Sequence, residues 1–244
     1  MVWHAQGYIA VVENTKLVGW NVTIGGGMGM THGNKKTYPR LADLLGFCTT
    51  EQAILVGEKV MLVQRDHGDR VNRKHARLKY TLEDLGMDFY RSEVERMCGF
   101  KLQEARPFSF EHNGDRYEWI KSSDGNYHYT LFIENGRVRD TPDYPLKTGL
   151  RELARAHKGD FRLTANQNII VGNISPQQKP VIEGILRKYN IDNDRHSPLR
   201  RASMACVALP TCGLAMAESE RYLPSLISKL EVILQLKRRK NGTM

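Results

Sequence analysis

The sequence predicts an α+β fold, and three observations along the chain support this. Two short runs rich in β-branched and aromatic residues, 7–13 and 17–24, are typical of a pair of strands. Residues 50–65 and 80–98 place apolar side chains at helical spacing. Between residues 127 and 189, strand and helix patterns alternate. Such alternation favours a layer of helices on one face of a small sheet, with a ferredoxin-like half-domain as the specific form.

The other elements follow from local signals. We predict helices at 38–46, 146–157, 180–189 and 213–237, and strands at 117–121, 127–133, 161–164 and 168–173. Gly86 and Met87 predict a break inside the helical stretch 80–98. Asn135-Gly136 predicts a hairpin turn that leads into Arg137.

Composition limits the class of protein. The chain has 244 residues, of which 41% are hydrophobic and 26% are charged, close to ordinary soluble usage. No apolar stretch approaches the roughly 18 residues that a membrane span needs, so no membrane association is expected. The first residues lack the basic and apolar regions of a secretory signal. We therefore expect a cytoplasmic protein.

The chain is basic, with 36 Lys and Arg against 27 Asp and Glu and a formal net charge of +9. Such a surplus suits nucleic acid, an acidic partner or an anionic cofactor, and it also occurs on surfaces that only need to be soluble. The basic residues are spread along the chain, without zinc-finger spacing or an RNA-binding aromatic signature. Nucleic acid is therefore disfavoured as a partner.

The cysteines fall into two groups. Cys48 and Cys98 each stand alone in apolar surroundings and are predicted to be buried small hydrophobes. Cys206 and Cys212 lie six positions apart on a loop that runs into a predicted helix. Thiolates are the usual ligands of iron–sulfur clusters, and helix N-termini favour anions. The spacing alone is a weak pattern, and by itself it is better explained by two unrelated thiols.

A second unusual segment is rich in glycine. Five glycines between residues 25 and 33 predict a loop whose backbone can approach another group closely. This loop ends in His32-Gly33-Asn34-Lys35-Lys36.

Several strings of the sequence, in order, resemble the hemoproteins of assimilatory sulfite reductases, in the nitrite and sulfite reductase superfamily. The strings are residues 24–27 with 32–38, 73–81, 131–137, 146–150, 160–168 and 206–221. The resemblance extends over about residues 7–235. It implies a siroheme-side nitrite/sulfite reductase domain over 1–105, a ferredoxin-like half-domain over 106–190, and the start of a second siroheme/4Fe-4S domain over 191–244.

The resemblance also implies a siroheme site. Siroheme carries many carboxylates, which require cations and amide donors from the protein. The candidate contacts are Asn34, Lys35, Lys36, Arg73, Lys74, Arg77, Lys79 and Gln167. Taken alone, Lys36 or Lys74 is better explained as a solvated surface charge.

Cys206 and Cys212 are implied to be two of the four thiolates that hold a 4Fe-4S cluster, the other two coming from a later Cys-x3-Cys. The implied reaction is the six-electron reduction of sulfite to sulfide. Its electrons come from NADPH through a flavoprotein reductase partner.

Two features depart from that pattern. No cysteine follows Cys212, and the basic segment that holds sulfite in the family is absent upstream. No catalytic residue is therefore assigned, and we expect this polypeptide alone to be inactive. A nitrite reductase of the same superfamily and a non-catalytic basic binding module are the alternatives.

Overall fold

The computed structural model of the chain describes residues 4–111 and 114–240, with the side chains of the last helix described through Gln235. The described chain divides into two compact units, Met1–Glu111 and His112–Met244. We call them unit 1 and unit 2, and each is described by itself. None of the described helices is long and apolar enough to cross a membrane.

Unit 1 is built on an antiparallel sheet of three strands in the order β1-β2-β3. β1 (Gln6–Glu13) and β2 (Lys16–Ile24) confirm the predicted strand pair. The prediction of a helix at 38–46 is wrong, because that stretch contains no helical turn and β3 (Asp43–Cys48) begins inside it. Pairing with β2, from Trp20 opposite Cys48 onwards, overrides the local helical pattern.

Three helices cover the sheet of unit 1. They are α1 (Ala53–His67), α2 (Leu78–Leu85) and α3 (Met87–Cys98). The predicted break lies between α2 and α3, where Gly86 has a φ of 81° that few other residues adopt. α1 buries Val56, Val60 and Val63, the stripe that its helical spacing predicts.

Unit 2 contains an antiparallel sheet of four strands in the order β4-β5-β9-β8. Its elements are β4 (Trp119–Lys121), β5 (Tyr127–Leu131), the short pair β6 (Asp140–Thr141) and β7 (Tyr144–Pro145), α4 (Leu146–Ala156), β8 (Asp160–Leu163), β9 (Ile169–Ile174), α5 (Lys179–Lys188), α6 (Pro198–Arg201) and α7 (Leu223–Lys240). Leu131, Leu153, Val171 and Ile182 belong to its core, which α4 and α5 share with the sheet. The predicted alternation of strands and helices is confirmed.

Two local predictions in unit 2 are wrong. Asn135-Gly136 lies in a single 3-10 turn, Glu134–Gly136, rather than in a β-hairpin. Both edges of β5 are already paired, with β4 and β9, so the chain after the turn cannot return beside it. The last helix begins at Leu223 rather than at Gly213. The preceding residues fold back instead, with the Leu209 amide donating to the Ala217 carbonyl over 3.2 Å.

Replacing Leu153 by alanine tests the core of unit 2. Leu153 is a fully buried residue of α4 that belongs to this core. L153A should therefore lower the free energy of unfolding by about 2–5 kcal/mol in urea titration. The control is L163A in β8, where the leucine is 85% exposed and the change should be about 0.5 kcal/mol or less. Equal losses in the two variants would contradict the described core.

Candidate functional site

The glycine-rich loop of unit 1 connects β2 to β3 and is closed by backbone hydrogen bonds. The Gly27 amide donates to the Arg40 carbonyl over 2.8 Å, and the Arg40 amide donates back over 2.9 Å. Farther along, the Thr31 amide donates to the Thr37 hydroxyl over 2.8 Å, and the Thr37 amide donates to the Asn34 carbonyl. The two ends of the loop are thus held together by the paired backbone bonds of Gly27 and Arg40.

A buried lysine, Lys79, binds the glycine-rich loop through three backbone carbonyls. The side chain of Lys79, on α2, is almost fully buried, and its Nζ donates to the carbonyls of Gly27 and Gly29, each over 3.0 Å, and to that of Tyr38. No ion pair joins Lys79 to a carboxylate within the described residues. Burial, followed by the charge of Arg77, lowers the pKa of Lys79. The ammonium is thus held by carbonyl dipoles, as a buried charge requires.

The other predicted siroheme cations of unit 1 have exposed side chains. They are Lys35, Lys36, Arg73, Lys74 and Arg77. Their charged groups have neither a hydrogen bond nor an ion pair with any residue that the structure describes. They therefore remain available to an anionic ligand.

The structure brings Arg77 to the glycine-rich loop. A Cβ added to Gly29 would lie 2.7 Å from Nη1 of Arg77, so the glycine makes room for the guanidinium. Asn34, which was predicted as an amide donor, caps the turn that contains Lys36, because its Oδ1 accepts from the Lys36 amide over 3.0 Å. Its Nδ2 is not used in that bond.

In unit 2, the turn between β8 and β9 contains Gln167. This residue has a φ of 67°, and its Nε2 donates to the Ala205 carbonyl over 3.0 Å. Its Oε1 is buried without a hydrogen-bond partner in the described residues. Ala205 directly precedes Cys206, so Gln167 fixes the start of the cysteine segment, which we define as residues 203–222.

Asp115 supports that turn and was missed in the sequence. Its carboxylate accepts from the Thr164 hydroxyl over 2.7 Å, from Asn168 Nδ2 over 2.7 Å and from Asn166 Nδ2 over 3.2 Å. No short-range pattern relates Asp115 to residues about fifty positions later. Only the folded chain brings them together.

The other end of the cysteine segment is fastened to the 3-10 turn. Arg137 and Glu220 form a two-pronged ion pair with distances of 2.6 and 2.7 Å, and Asn135 Nδ2 donates to the Glu220 carbonyl over 3.0 Å. The Arg137 guanidinium lowers the pKa of the Glu220 carboxyl, which is only 8% exposed. Sequence reasoning missed this pair as well.

The two cysteines lie between these fixed ends. Cys206 is exposed and Cys212 is half-buried, and neither forms a disulfide. The Cys212 amide donates to the Ala208 carbonyl over 2.7 Å. The predicted helix does not start directly after Cys212, because α7 begins only at Leu223. Accessible thiols on a loop suit cluster ligation, although no group of three metal-ligating side chains occurs in the described chain.

The remaining cysteines have structural environments. Cys48 is fully buried in the core of unit 1, and burial raises the pKa of its thiol to about 11. Cys98 packs against the same core and is partly buried. Neither environment favours the thiolate that an iron–sulfur cluster needs.

The chain matches known protein families in sequence and a solved structure in fold. Residues 6–102 match the family model of the nitrite and sulphite reductase 4Fe-4S domain. Residues 120–189 match that of the nitrite/sulfite reductase ferredoxin-like half domain. The structure of the Mycobacterium tuberculosis NirA protein superposes with a TM-score of 0.75 at 23% identity, covering 98% of this chain and 42% of that one. This likeness shows the shared fold.

The chain therefore contains two domains of the nitrite and sulfite reductase family, over residues 6–102 and 120–189. Within it, the chain is 59% identical over 230 residues to the sulfite reductase [NADPH] hemoprotein beta-component of Anoxybacillus flavithermus. It is 54% identical over 229 residues to that of Bacillus subtilis. These alignments cover 94% and 93% of the chain and 40% of each relative. The chain thus spans about two fifths of the length of the curated relatives it matches, and the family predicted from the sequence strings is confirmed.

Replacing Lys79 by methionine tests the fastening of the glycine-rich loop. K79M should lower the free energy of unfolding by about 2–4 kcal/mol, because three carbonyls lose their donor in a buried setting. The matched control is K74M, which changes an exposed lysine without a described side-chain partner and should have little effect. Urea titration that gave equal stability for K79M and K74M would contradict the fastening role.

Proposed function

We propose that this chain forms part of the hemoprotein component of an assimilatory sulfite reductase. That enzyme reduces sulfite to sulfide with six electrons, using siroheme coupled to a 4Fe-4S cluster. The observation that carries the proposal is identity of 54–59% with such hemoproteins over 93–94% of the chain. The match includes both units and the cysteine segment, where a metal cofactor requires specific ligands.

Cys206 and Cys212 are proposed as two of the four cluster thiolates. Their thiols are accessible, whereas Cys48 is buried and Cys98 packs against the same core. Gln167 and the Arg137–Glu220 pair hold the two ends of the cysteine segment. The backbone that carries both thiols is therefore held in place before any metal binds. Preorganised ligands lose less conformational freedom when they bind a metal.

The exposed cations of unit 1 are proposed to hold siroheme carboxylates. Arg77 is the strongest candidate, because its guanidinium lies against Gly29 and has no carboxylate partner among the described residues. Lys35, Lys36, Arg73 and Lys74 add positive charge. Arginine matches the two oxygens of a carboxylate, and lysine acts as a point charge.

Asn34, Gln167 and Lys79 receive positioning roles within the same proposal. Each has a side-chain group already used in shaping a loop, and the amide groups of Asn34 and Gln167 retain N–H donors that can meet a carboxylate. When bound, siroheme and the cluster supply the electron transfer to sulfite. No residue of this chain is assigned to proton delivery.

The partners follow from the same proposal. We propose NADPH as the electron source, a flavoprotein reductase as the direct donor, and the cytoplasm as the compartment. The relatives are sulfite reductase [NADPH] hemoprotein beta-components, which favours sulfite over nitrite. Nothing in the described structure favours a nucleic-acid-binding module.

Cysteine substitutions in the hemoprotein that this chain is proposed to form part of test the cluster assignment. C206S and C212S, produced in cells that make siroheme, should each lose most of the iron and the siroheme absorption, because a thiolate ligand is removed. C98S is the control, since this thiol is partly buried against the core of unit 1. Iron quantification and absorption spectra are the readouts. Full iron and siroheme in C206S would refute the assignment.

A further inference from the structure

Two loops of unit 1 contain the exposed cations that the proposed function assigns to siroheme. The first is the glycine-rich loop, residues 25–42, and the second joins α1 to α2 over residues 68–77. We call the second one the basic loop. The exposed cations of the two loops are Lys35, Lys36, Arg73, Lys74 and Arg77. A ligand that binds cations from both loops requires a fixed position of one loop relative to the other.

The basic loop is shaped by hydrogen bonds among its own residues. The carboxylate of Asp69 accepts from the amides of Val71 and Asn72, over 2.9 and 2.7 Å. The Asn72 side chain in turn accepts from the Lys74 amide over 3.1 Å, and its carbonyl accepts from the His75 amide over 2.8 Å. These bonds set the shape of the loop but do not attach it to the rest of unit 1.

His75 attaches the basic loop to α2. Its Nε2 lies 2.8 Å from Asp84 Oδ2, and its ring is stacked on that of Tyr80, with centroids 4.6 Å apart and planes 14° apart. A second attachment comes from α1, where Gln64 Nε2 donates to the Ala76 carbonyl over 3.1 Å. Tyr80 is itself only 2% exposed, so the His75 ring rests on a side chain that is fixed in the fold.

The same tyrosine contacts the glycine-rich loop. Tyr38 of that loop meets the Tyr80 ring edge-on, with centroids 5.5 Å apart, and its hydroxyl donates to the Glu83 carboxylate on α2. Lys79 Nζ, which binds the carbonyls of this loop, lies 5.0 Å from the centroid of the Tyr80 ring. Aromatic rings and cations at these distances attract each other. Tyr80 therefore contacts one aromatic side chain from each loop, and we call His75, Tyr80 and Tyr38 the aromatic cluster.

We propose that the aromatic cluster positions the basic loop relative to the glycine-rich loop, so that the cations of both loops bind one polyanion together. This inference rests on the proposed function, in which the polyanion is siroheme. His75, Tyr80 and Tyr38 are positioning residues, since they act through the cations of the two loops. Loops that are held in place before binding lose less conformational freedom on binding, so the aromatic cluster raises the affinity for the ligand.

His75 is the member of the aromatic cluster that can be changed without disturbing the core. Its side chain is 31% exposed and that of Asp84 is 57% exposed. Both residues lie outside the hydrophobic core cluster of the described part of unit 1. An ion pair with this exposure contributes little to overall stability. Removing the His75 ring should therefore leave unit 1 folded and change the two loops.

Hydrogen–deuterium exchange of the chain tests the coupling between the loops. In H75A, the hydrogen-bonded amides of Thr31, Thr37 and Lys74 should exchange about threefold to tenfold faster, the effect of losing one aromatic contact and one hydrogen bond. The first two amides belong to the glycine-rich loop, so their response reports on the coupling. H75F returns a ring to Tyr80 and should restore part of the protection.

The matched control is H67A. The side chain of His67 is 34% exposed, close to the value for His75. Its ring meets that of Phe89 edge-on at 5.1 Å, and its Nε2 lies 4.0 Å from Glu93 Oε2, so its partners are on α3 instead of α2. H67A should leave the exchange of both loops unchanged.

Siroheme retention by the hemoprotein tests whether the coupling serves the ligand. The wild-type, H75A, H75F and H67A hemoproteins are produced in cells that make siroheme, and bound siroheme is followed by absorption during dialysis. H75A should lose siroheme at least about threefold faster than the wild type, because its two loops are no longer held together. H75F should lie between them, and H67A should match the wild type.

The outcomes separate this inference from the proposed function. Faster exchange of Lys74 alone, with Thr31 and Thr37 unchanged in H75A, would overturn the coupling of the two loops. Equal siroheme retention in H75A and the wild type would overturn its role in ligand binding. A wild-type hemoprotein that holds no siroheme would refute the proposed function and the ligand named here, whatever the exchange result. Thermal unfolding of each variant verifies that it is folded.

Discussion

The arrangement of unit 2 depends on two turns that hold the cysteine segment at both ends. One turn fixes Ala205 through the Gln167 amide, and the other fixes Glu220 through Asn135 and Arg137. The turns are adjacent, since a Cβ added to Gly136 would lie 3.1 Å from that of Gln167. The described segment has no helix or strand between its ends and forms only a few backbone hydrogen bonds of its own, such as the one from Leu209 to Ala217, so these side chains set much of its geometry. The thiols are consequently presented by the half-domain sheet and not by a helix of their own.

In unit 1, a single charged side chain, that of Lys79, holds the glycine-rich loop. The glycine-rich loop has carbonyls that point inward, and the Lys79 ammonium satisfies three of them at once. A lysine used in this way shapes the loop, whereas Arg77 at the loop surface retains a free guanidinium. Family resemblance alone does not separate these roles, because both residues are cations in one basic string. The distinction comes from burial: a fully buried cation must be satisfied by the protein itself, and an exposed one can await a ligand.

The sequence predicted the elements whose signal is local and missed those set by distant contacts. The apolar stripe of α1 and the break at Gly86 were evident, since both arise within a few residues. β3 was predicted as a helix because its strand character exists only through pairing with β2. The start of α7 was placed too early because folding back of the chain before Leu223 depends on contacts that no periodicity reveals. At the candidate site, Cys206 could be proposed from its string, but the supporting role of Asp115 could not, because its partners are about fifty positions away.

Hydrogen–deuterium exchange of the cysteine segment tests the two-turn arrangement most directly. The comparison is between the wild-type chain, Q167A and R137Q, with β5 and β9 as internal references in each sample. Exchange within residues 203–222 should be faster in both variants, since each loses one of the two contacts that hold the segment, and exchange in the two reference strands should be unchanged. Unchanged exchange of the segment in both variants would contradict the account and would mean that other contacts position the thiols.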